Sequence, residues 1–235
     1  MQDNNHLKID ITRTSHPPIN DFRVSTIRSD FDYNIPEITE HFQGEIIIPD
    51  KWNIGVIVGS SGSGKSTIAN QLFKNCFVQL PEKRNPSVVM DMPQGHSVSD
   101  ITKMFTSLGL SSVPSWLKPY EVLSNGEKMR ADLAYTLLST DSDTPVAFDE
   151  FTSVVDRDVA QNLCIALHKR LHRFGGKFIA VTCHRDILDW LQPDWVYDTD
   201  KCEMLDPKGS SPLQENSQYE DVKEASGRDL SVITI

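Results

Sequence analysis

The feature that most constrains this chain is a short glycine-rich loop between an apolar run and a helical pattern. The apolar run is 54-IGVIV-58, and the loop after it is Gly59-Ser60-Ser61-Gly62-Ser63-Gly64-Lys65-Ser66. The loop fits the pattern G-x-x-x-x-G-K-[ST], and segment 65–75 reads as a helix. Strand, loop and helix in this order predict a phosphate-binding loop in an α/β protein, because a chance Gly/Ser-rich match would lack the flanking elements.

The residues of this loop each have a chemical reason to be there. Glycines let backbone N–H groups curl around phosphate oxygens, and the N-terminus of the next helix adds the positive end of its dipole. Lys65 would reach the β- and γ-phosphates, and Ser66 would place its hydroxyl on Mg²⁺. We expect nucleotide contacts along the whole loop, from Gly59, Ser60, Ser61, Gly62, Ser63, Gly64, Lys65, Ser66 and Thr67.

The rest of the chain alternates between strand-like and helical patterns. Helical patterns occur at 126–139 and 158–174. Apolar, strand-like runs occur at 7–11, 22–27, 45–49, 87–92, 145–150, 177–183, 195–199 and 202–205. Strands that alternate with helices predict an α/β fold with a largely parallel sheet, closed by a hairpin or strand pair at the end.

Composition limits the classes of function. No run of 18 apolar residues occurs and the N-terminus lacks a signal-peptide core, so we expect a cytoplasmic protein. The four cysteines form no CxxC pair, which signals neither a zinc site nor a disulfide framework. The net charge of −10 argues against a surface that coats nucleic acid. A local basic groove could still form, although a solvated polar face is the simpler explanation for Lys83, Arg84, Lys103, Lys128 and Arg130.

Two acids end the apolar run 145-PVAFDE-150. A cation that bridges phosphates needs a carboxylate close by, and Asp149 fits that role. Glu150, the next residue, can polarise the attacking water as a general base. Two acids where a strand meets solvent would explain the pattern equally well if the phosphate loop were not present.

The segment 123-LSNGEKMRADLAYTLLS-139 resembles the signature motif of ABC-type ATPases, usually written LSGGQ and followed by a helix. In that family the helix N-terminus points across a dimer interface at the γ-phosphate of the partner's ATP, so that a helix dipole faces an anion. The resemblance implies that Ser124 and Gly126 contact the nucleotide of a second copy. Taken alone, Ser-Asn-Gly before a helix would be an ordinary N-cap.

Three further residues match the family's motifs in order. Gln94 matches the Q-loop, which senses the metal and the attacking water, and Asp156 in 153-SVVD-156 matches the D-loop. His184, after the run 177–183, matches the switch histidine that contacts the γ-phosphate. The family resemblance covers about 22–205.

The resemblance implies ATP and Mg²⁺ as ligands and assigns roles to the matched residues. The implied catalytic residues are Glu150, His184, Lys65 and Gln94, and the implied metal ligands are Ser66, Gln94 and Asp149. An aromatic side chain near the first strand stacks on adenine in this family. Phe31 and Tyr33 are the candidates, and core packing explains either of them equally well.

The resemblance also implies an architecture. We expect a P-loop NTPase of ABC type, with a mostly parallel sheet and flanking helices, a small N-terminal antiparallel β region and a short helical arm at about 95–135. The ATP-binding domain would span 22–205 after an extension at 1–21. Residues 206–235 carry six acids and three bases, and we expect a disordered acidic tail.

Two departures favour a branch of the family other than the transporters. Asn125 and Glu127 stand where transport ATPases favour Gly and Gln, and only 59 residues separate Lys65 from Ser124, so the arm is short. The stretches 148–160 and 180–199 resemble a group of ABC-type ATPases fused to, or encoded with, a predicted GNAT-like acetyltransferase. The residues after 207 cannot hold that domain, so the acetyltransferase would be a separate chain.

Three hypotheses follow. In the first, an ATP-dependent homodimer hydrolyses ATP and drives a partner-protein or nucleic-acid transaction. In the second, the chain is the ATP-binding subunit of an ABC membrane transporter. In the third, nucleotide serves only for assembly, which intact Lys65, Asp149, Glu150 and His184 oppose. A GTPase is a poor fit because no N-K-x-D pattern follows the apolar strands.

Overall fold

A computed structural model describes residues 5–15, 21–32, 38–82, 84–141 and 143–207. The strands are β1 (His6–Ser15), β2 (Ile38–Ile47), β3 (Ile54–Val58), β4 (Pro145–Phe148), β5 (Lys177–Thr182), β6 (Trp195–Asp198) and β7 (Glu203–Leu205). The α-helices are α1 (Phe22–Asp30), α2 (Lys65–Leu72), α3 (Val88–Asp91), α4 (Val98–Ser107), α5 (Val113–Trp116), α6 (Asn125–Leu138), α7 (Arg157–Phe174) and α8 (Ile187–Leu191). Two 3₁₀ turns lie at Lys74–Cys76 and Tyr120–Val122.

Five of the strands form the central sheet, in the order β4-β5-β3-β6-β7. β3 pairs in parallel with β5 on one side and with β6 on the other, and β4 extends the parallel part beyond β5. β7 turns back antiparallel to β6, as the sequence predicted for the last two runs. The alternation of strands and helices therefore produces the mostly parallel α/β sheet that was expected.

Both faces of this sheet are covered. Along β3, Val56 and Val58 pack into one hydrophobic cluster with the helices, while Ile57 points into the other. This alternation follows from the two-residue period of a strand. α4, α6, α7 and α8 contribute to the first cluster, and β1, β2 and α2 contribute to the second. A continuous apolar strand such as 54–58 is what a sheet buried on both faces requires.

The N-terminal hairpin belongs to the same folded unit. β1 pairs antiparallel with β2 along its whole length, from His6 opposite Ile47 to Ser15 opposite Ile38. Ile9 and Ile11 of β1 are buried in the same cluster as Ile57. The small antiparallel region is as expected, but it includes residues assigned to an extension, so the folded part begins before residue 22. Of the predicted tail at 206–235, residues 208–235 lie outside the described part of the chain.

The prediction of a strand at 22–27 was wrong, because these residues lie in helix α1. Asp21 is the N-cap, and its carboxylate accepts hydrogen bonds from the backbone N–H of Arg23 (2.8 Å) and of Val24 (3.2 Å). β-Branched residues in this run favour a strand locally, but the cap gives the first helical turn its missing partners. None of the side chains of α1 is buried.

The prediction of a strand at 87–92 was also wrong. This run contains the single helical turn α3; Val88 in the turn and Met92 just after it, four residues apart, are buried while Met90 is exposed. The Asp91 carboxylate accepts hydrogen bonds from Asn85, from the backbone N–H at 2.7 Å and from the side-chain amide at 3.0 Å. These hydrogen bonds stabilise a turn where the apolar composition alone predicts an extended strand.

α4, α5 and the start of α6 form the helical arm. Phe105 and Trp116 pack with their ring centroids 5.9 Å apart, and the Trp116 indole N–H donates to the Leu110 carbonyl at 2.7 Å. α6 then runs back to contact β4. Within the described ranges, no helix has the length and apolar character needed to cross a lipid bilayer.

Candidate nucleotide-binding site

Three of the predicted motifs meet at one edge of the central sheet. β3, β5 and β4 are parallel neighbours, so the segments that follow them leave the sheet at the same edge. These segments are the phosphate loop after Val58, His184 after β5, and Asp149 with Glu150 after β4. β6 ends at the same edge, since Asp198 lies opposite Val58. The sheet thus brings together three motifs that lie up to 125 residues apart in the chain.

The phosphate loop has the backbone that its sequence requires. Gly62 and Gly64 have φ values of +83° and +86°, in the left-handed region that favours glycine. Gly64 caps the N-terminus of α2, so the helix starts at Lys65 and directs its free N–H groups into the loop. The Lys65 ammonium donates to the Ser60 carbonyl at 2.5 Å. A loop of this form is a suitable anion-binding site.

Phe42 lies against the loop, and sequence reasoning missed it. A Cβ added at Gly64 would overlap the Phe42 ring. The only signal in the sequence is that Phe42 alternates with Gly44 and Ile46 along β2. Of the two predicted adenine-stacking residues, Phe31 ends α1 with 75% of its surface exposed, and Tyr33 lies outside the described residues.

The two acids after β4 lie in a tight turn. Glu150 has φ +55° and Thr152 has φ +66°, conformations that are unusual for non-glycine residues. The Glu150 N–H donates to the Asp149 carboxylate at 2.9 Å, and the Ser153 hydroxyl donates to the Glu150 carbonyl at 2.7 Å. The Phe151 N–H donates to the Val181 carbonyl of β5 at 2.9 Å. Strained turns of this kind persist where the surrounding structure holds them, and they concentrate at functional sites.

The donor set at this edge fits Mg²⁺ held together with phosphates. Mg²⁺ binds oxygen ligands and is commonly held by one or two carboxylates, with water and substrate phosphates in the other positions. The Ser66 hydroxyl at the start of α2 and the Asp149 carboxylate after β4 are oxygen donors of the right kind, whereas the predicted ligand Gln94 lies on the separate turn before α4. The described residues contain no group of three or more His, Cys, Asp or Glu side chains that could hold a metal without such help.

The predicted signature segment begins helix α6. Ser124 is the N-cap, and its hydroxyl accepts the Glu127 N–H at 3.3 Å while the Glu127 carboxylate accepts the Ser124 N–H at 2.9 Å. The Ser115 hydroxyl donates to the same carboxylate at 2.6 Å. The Ser115 hydroxyl and the Ser124 N–H lower the pKa of Glu127. Glu127 therefore stabilises the start of its own helix.

The start of α6 lies beside the start of α7. A Cβ at Gly126 would stand 3.1 Å from a methyl group of Val159. Asp156 is the N-cap of α7, and its carboxylate accepts the Val159 N–H at 2.9 Å. The predicted signature and D-loop residues are therefore neighbours. A cleft of about 360 Å³ separates the start of α6 from Asp149 and Glu150.

His184 and Gln94 lie on loops. His184 is half-buried, and its N–H donates to the Thr182 hydroxyl at 3.1 Å. Gln94 is exposed in the turn before α4, next to Gly95 with φ +94°. His96 anchors that turn through a hydrogen bond with the Leu138 carbonyl at 2.7 Å.

Arg84, one of the residues considered for a basic groove, is structural. Its guanidinium pairs with Asp132 at 2.9 Å and stacks 3.9 Å from the centroid of the Tyr120 ring, and only 11% of the side chain is exposed. The Tyr120 hydroxyl donates to Asp132 at 2.5 Å. Because this cation is satisfied inside the protein, it does not contribute to a groove for nucleic acid. Lys83 lies outside the described residues.

The sequence matches no protein-family model and no curated protein sequence. Among solved structures, the chain is similar to the dimeric post-hydrolysis state of the ATP-binding cassette MJ0796 bound to ADP and Pi. The TM-score is 0.56 at 14% identity, over 82% of this chain and 93% of that chain. The fold is that of an ATP-binding cassette. The expected fold class is thereby confirmed.

Two further solved cassette structures are also similar to this chain. The chain is similar to a bacterial Atm1-family ABC exporter with ATP bound, with a TM-score of 0.53 and 18% identity, over 73% of this chain and 36% of the exporter. It is also similar to the ADP conformation of MJ1267, an ATP-binding cassette of an ABC transporter, with a TM-score of 0.50 and 16% identity, over 72% and 82% of the two chains. At such low identity the likeness establishes the cassette fold alone.

Proposed function

We propose that this chain binds ATP with Mg²⁺ and hydrolyses it to ADP and phosphate in a dimer of two copies. The observation that carries the proposal is the meeting of three motif loops at adjacent strand ends: the phosphate loop, Asp149 with Glu150, and His184. The cassette fold supports the same activity.

Each loop has a task in this proposal. The N–H groups of residues 60–67 and the Lys65 ammonium bind the phosphates, and His184 donates a hydrogen bond to the γ-phosphate. Glu150 accepts a proton from water as the water oxygen attacks the γ-phosphorus, and the bond to the ADP oxygen breaks. Ser66, Asp149 and Gln94 would hold Mg²⁺, which would supply positive charge against the negative charge that develops on the phosphates.

The proposed dimer supplies the remaining contacts. Ser124 is exposed at the N-terminus of α6, so the positive end of that helix dipole is accessible to another molecule. Ser124 and Gly126 of one copy would face the phosphate loop of the second copy, with Asp156 beside them. The neighbouring cassette MJ0796 is described as dimeric, which supports this arrangement by analogy.

The variant Glu150→Gln tests this proposal. Removing the general base should reduce phosphate release by a factor of about 10² or more, because general-base catalysis typically contributes 10²–10⁴. The variant should still bind ATP and should form a stable dimer with Mg·ATP, measured by size-exclusion chromatography with light scattering. Glu121→Gln, which removes an exposed acid from the arm, is the matched control and should behave as wild type. A wild-type protein that neither releases phosphate nor dimerises with Mg·ATP contradicts the proposal.

The proposal also concerns the process that ATP hydrolysis drives and the partner involved. We propose that ATP hydrolysis drives a partner-protein or nucleic-acid transaction in the cytoplasm, with a separate GNAT-like acetyltransferase as a candidate partner. The support is the sequence resemblance in 148–160 and 180–199 and the short arm. Affinity purification from native cells with Glu150→Gln as bait should recover a soluble partner. Recovery of a multi-spanning membrane protein would contradict this branch.

The second candidate function is the ATP-binding subunit of a membrane transporter. The observation that favours it is that solved neighbours include an ABC exporter and a transporter cassette. The same purification decides between the two, because a transporter subunit would be recovered with the membrane fraction and with its spanning partner.

A further inference from the structure

A chain of polar contacts joins the segment that carries His184 to the phosphate loop. Arg185 donates from Nη1 to Asp198 at 2.7 Å and from Nη2 to the other oxygen of the same carboxylate at 3.1 Å. Nη2 also donates to Asp200 at 2.9 Å. Asp200 accepts the backbone N–H of Ser60, at 3.0 and 2.9 Å, and its hydroxyl at 2.6 Å. Arg185, the residue next to His184, is therefore connected through Asp200 to Ser60, the second residue of the loop.

The turn that carries Asp200 is fixed to the loop by its backbone as well. The Thr199 N–H donates to the Val58 carbonyl at 2.8 Å, and the Thr199 hydroxyl lies 2.5 Å from the Ser63 hydroxyl. The Asp200 N–H donates to the Asp198 carboxylate at 2.9 Å. Asp200 is therefore held in one position, in which both of its oxygens face Ser60.

Arg185 also changes the electrostatic charge beside the phosphate loop. Hydrogen bonds from the Ser60 hydroxyl and N–H lower the pKa of Asp200. Burial opposes ionisation of Asp198, but hydrogen bonds from Arg185 and from the Asp200 N–H keep the pKa of Asp198 below its usual value. Two carboxylates next to a loop that binds phosphates would repel the ligand, and the Arg185 guanidinium bonds to both of them.

We propose that Arg185 is a positioning residue for the phosphate loop: it holds Asp200 against Ser60 and offsets one of the two negative charges beside the bound polyphosphate. This inference rests on the proposed ATP-binding function and adds a positioning residue to the same site.

Nucleotide affinity is the first test. We expect Arg185→Ala to raise the Kd for Mg·ATP about tenfold, a change of about 1.4 kcal/mol. Arg185→Lys keeps the charge but loses the two-pronged contact, so a rise of about threefold is expected. Lys201→Ala is the matched control, because Lys201 is a cation of the same turn that pairs with Glu203 at 3.8 Å rather than with the loop. Its Kd should stay within about twofold of wild type.

Hydrogen exchange of the nucleotide-free protein is the second test. The Ser60 amide should exchange faster in Arg185→Ala than in wild type and Lys201→Ala, and by a larger factor than the amides of β5, whose exchange reports the overall loss of stability when the buried Asp198 loses its partner. If Arg185→Ala does not fold, Arg185→Lys and Asp200→Asn make the same comparison. Equal Kd values and equal exchange in Arg185→Ala and Lys201→Ala would overturn the inference. If wild type binds no Mg·ATP, the proposed function fails, and the exchange experiment alone still decides whether Arg185 holds the loop.

Discussion

At the scale of single residues, two glycines of the phosphate loop have the same backbone but different surroundings. Gly62 and Gly64 both have φ above +80°. A Cβ at Gly62 would meet nothing within 4 Å, whereas a Cβ at Gly64 would overlap the Phe42 ring. The sequence pattern treats these glycines alike, and only the packing of β2 against the loop distinguishes them.

We expect Gly62→Ala to lower the free energy of unfolding by about 1–2 kcal/mol, the penalty for an L-residue in the left-handed region. Gly64→Ala should lower it further, because the new methyl group must displace the Phe42 ring. In a Phe42→Ala background, where the ring is absent, the two glycine variants should become nearly equal. Urea denaturation measures all of these values. An unchanged difference between the glycine variants in that background would show that Phe42 does not close on the loop.

At the scale of secondary-structure elements, the start of α6 has two properties. It is a well-capped helix N-terminus, since Ser124 and Glu127 satisfy each other's backbone N–H groups. It is also an accessible helix end that faces outward at Ser124. The same geometry therefore fits both an ordinary helix N-cap and the predicted signature motif. Only the signature role requires a second copy of the chain.

Glu127→Gln should lower stability in a pH-dependent way. The pKa of Glu127 is lower in the folded protein than its ordinary value of 4.5. Its ionised form therefore adds stability that is complete above the unfolded pKa and is lost as the pH falls through the folded pKa. We expect the variant to be about 1 kcal/mol less stable at pH 7. The difference should shrink as denaturation curves are measured toward pH 4.

The exposed Glu121→Gln variant is the control for this experiment and should match wild type throughout the pH range. A stability loss in Glu127→Gln that stays constant from pH 7 to pH 4 would show that the charge of Glu127 does not contribute, and that only the shape of the side chain matters.

At the scale of the whole molecule, the proposed active site is shared between two copies. A variant without Lys65 and a variant with a negative charge at Ser124 should therefore complement each other. Lys65→Ala and Ser124→Glu should each be inactive alone. Mixed in equal amounts, half of the dimers would be mixed and each would have one intact site of two. We expect about a quarter of the wild-type rate of phosphate release if the subunits exchange freely.

The control mixes Lys65→Ala with the double variant Lys65→Ala/Ser124→Glu, a pair that leaves no intact phosphate loop and should stay inactive. If the complementing mixture is as inactive as this control while Ser124→Glu alone still binds Mg·ATP, the shared site is wrong.

The sequence by itself determined the elements that have a local chemical signature. The phosphate loop, the apolar strand β3, the acids after β4 and the helices α6 and α7 were predicted because glycine spacing, apolar periodicity and capping residues act within a few positions. The mostly parallel sheet followed from the order of these elements. The runs 22–27 and 87–92 were mispredicted where a short polar contact outweighed β-branched or apolar composition.

Tertiary structure alone decided which distant residues touch. Phe42 against Gly64, Arg84 between Asp132 and Tyr120, and Asp200 on Ser60 depend on which strands become neighbours. Ser60 and Asp200 are 140 residues apart in the chain. Their contact exists because β6 pairs with β3 and turns at the edge where the loop begins. No local pattern encodes that pairing, since hydrogen bonding and apolar burial select it only when the whole sheet forms.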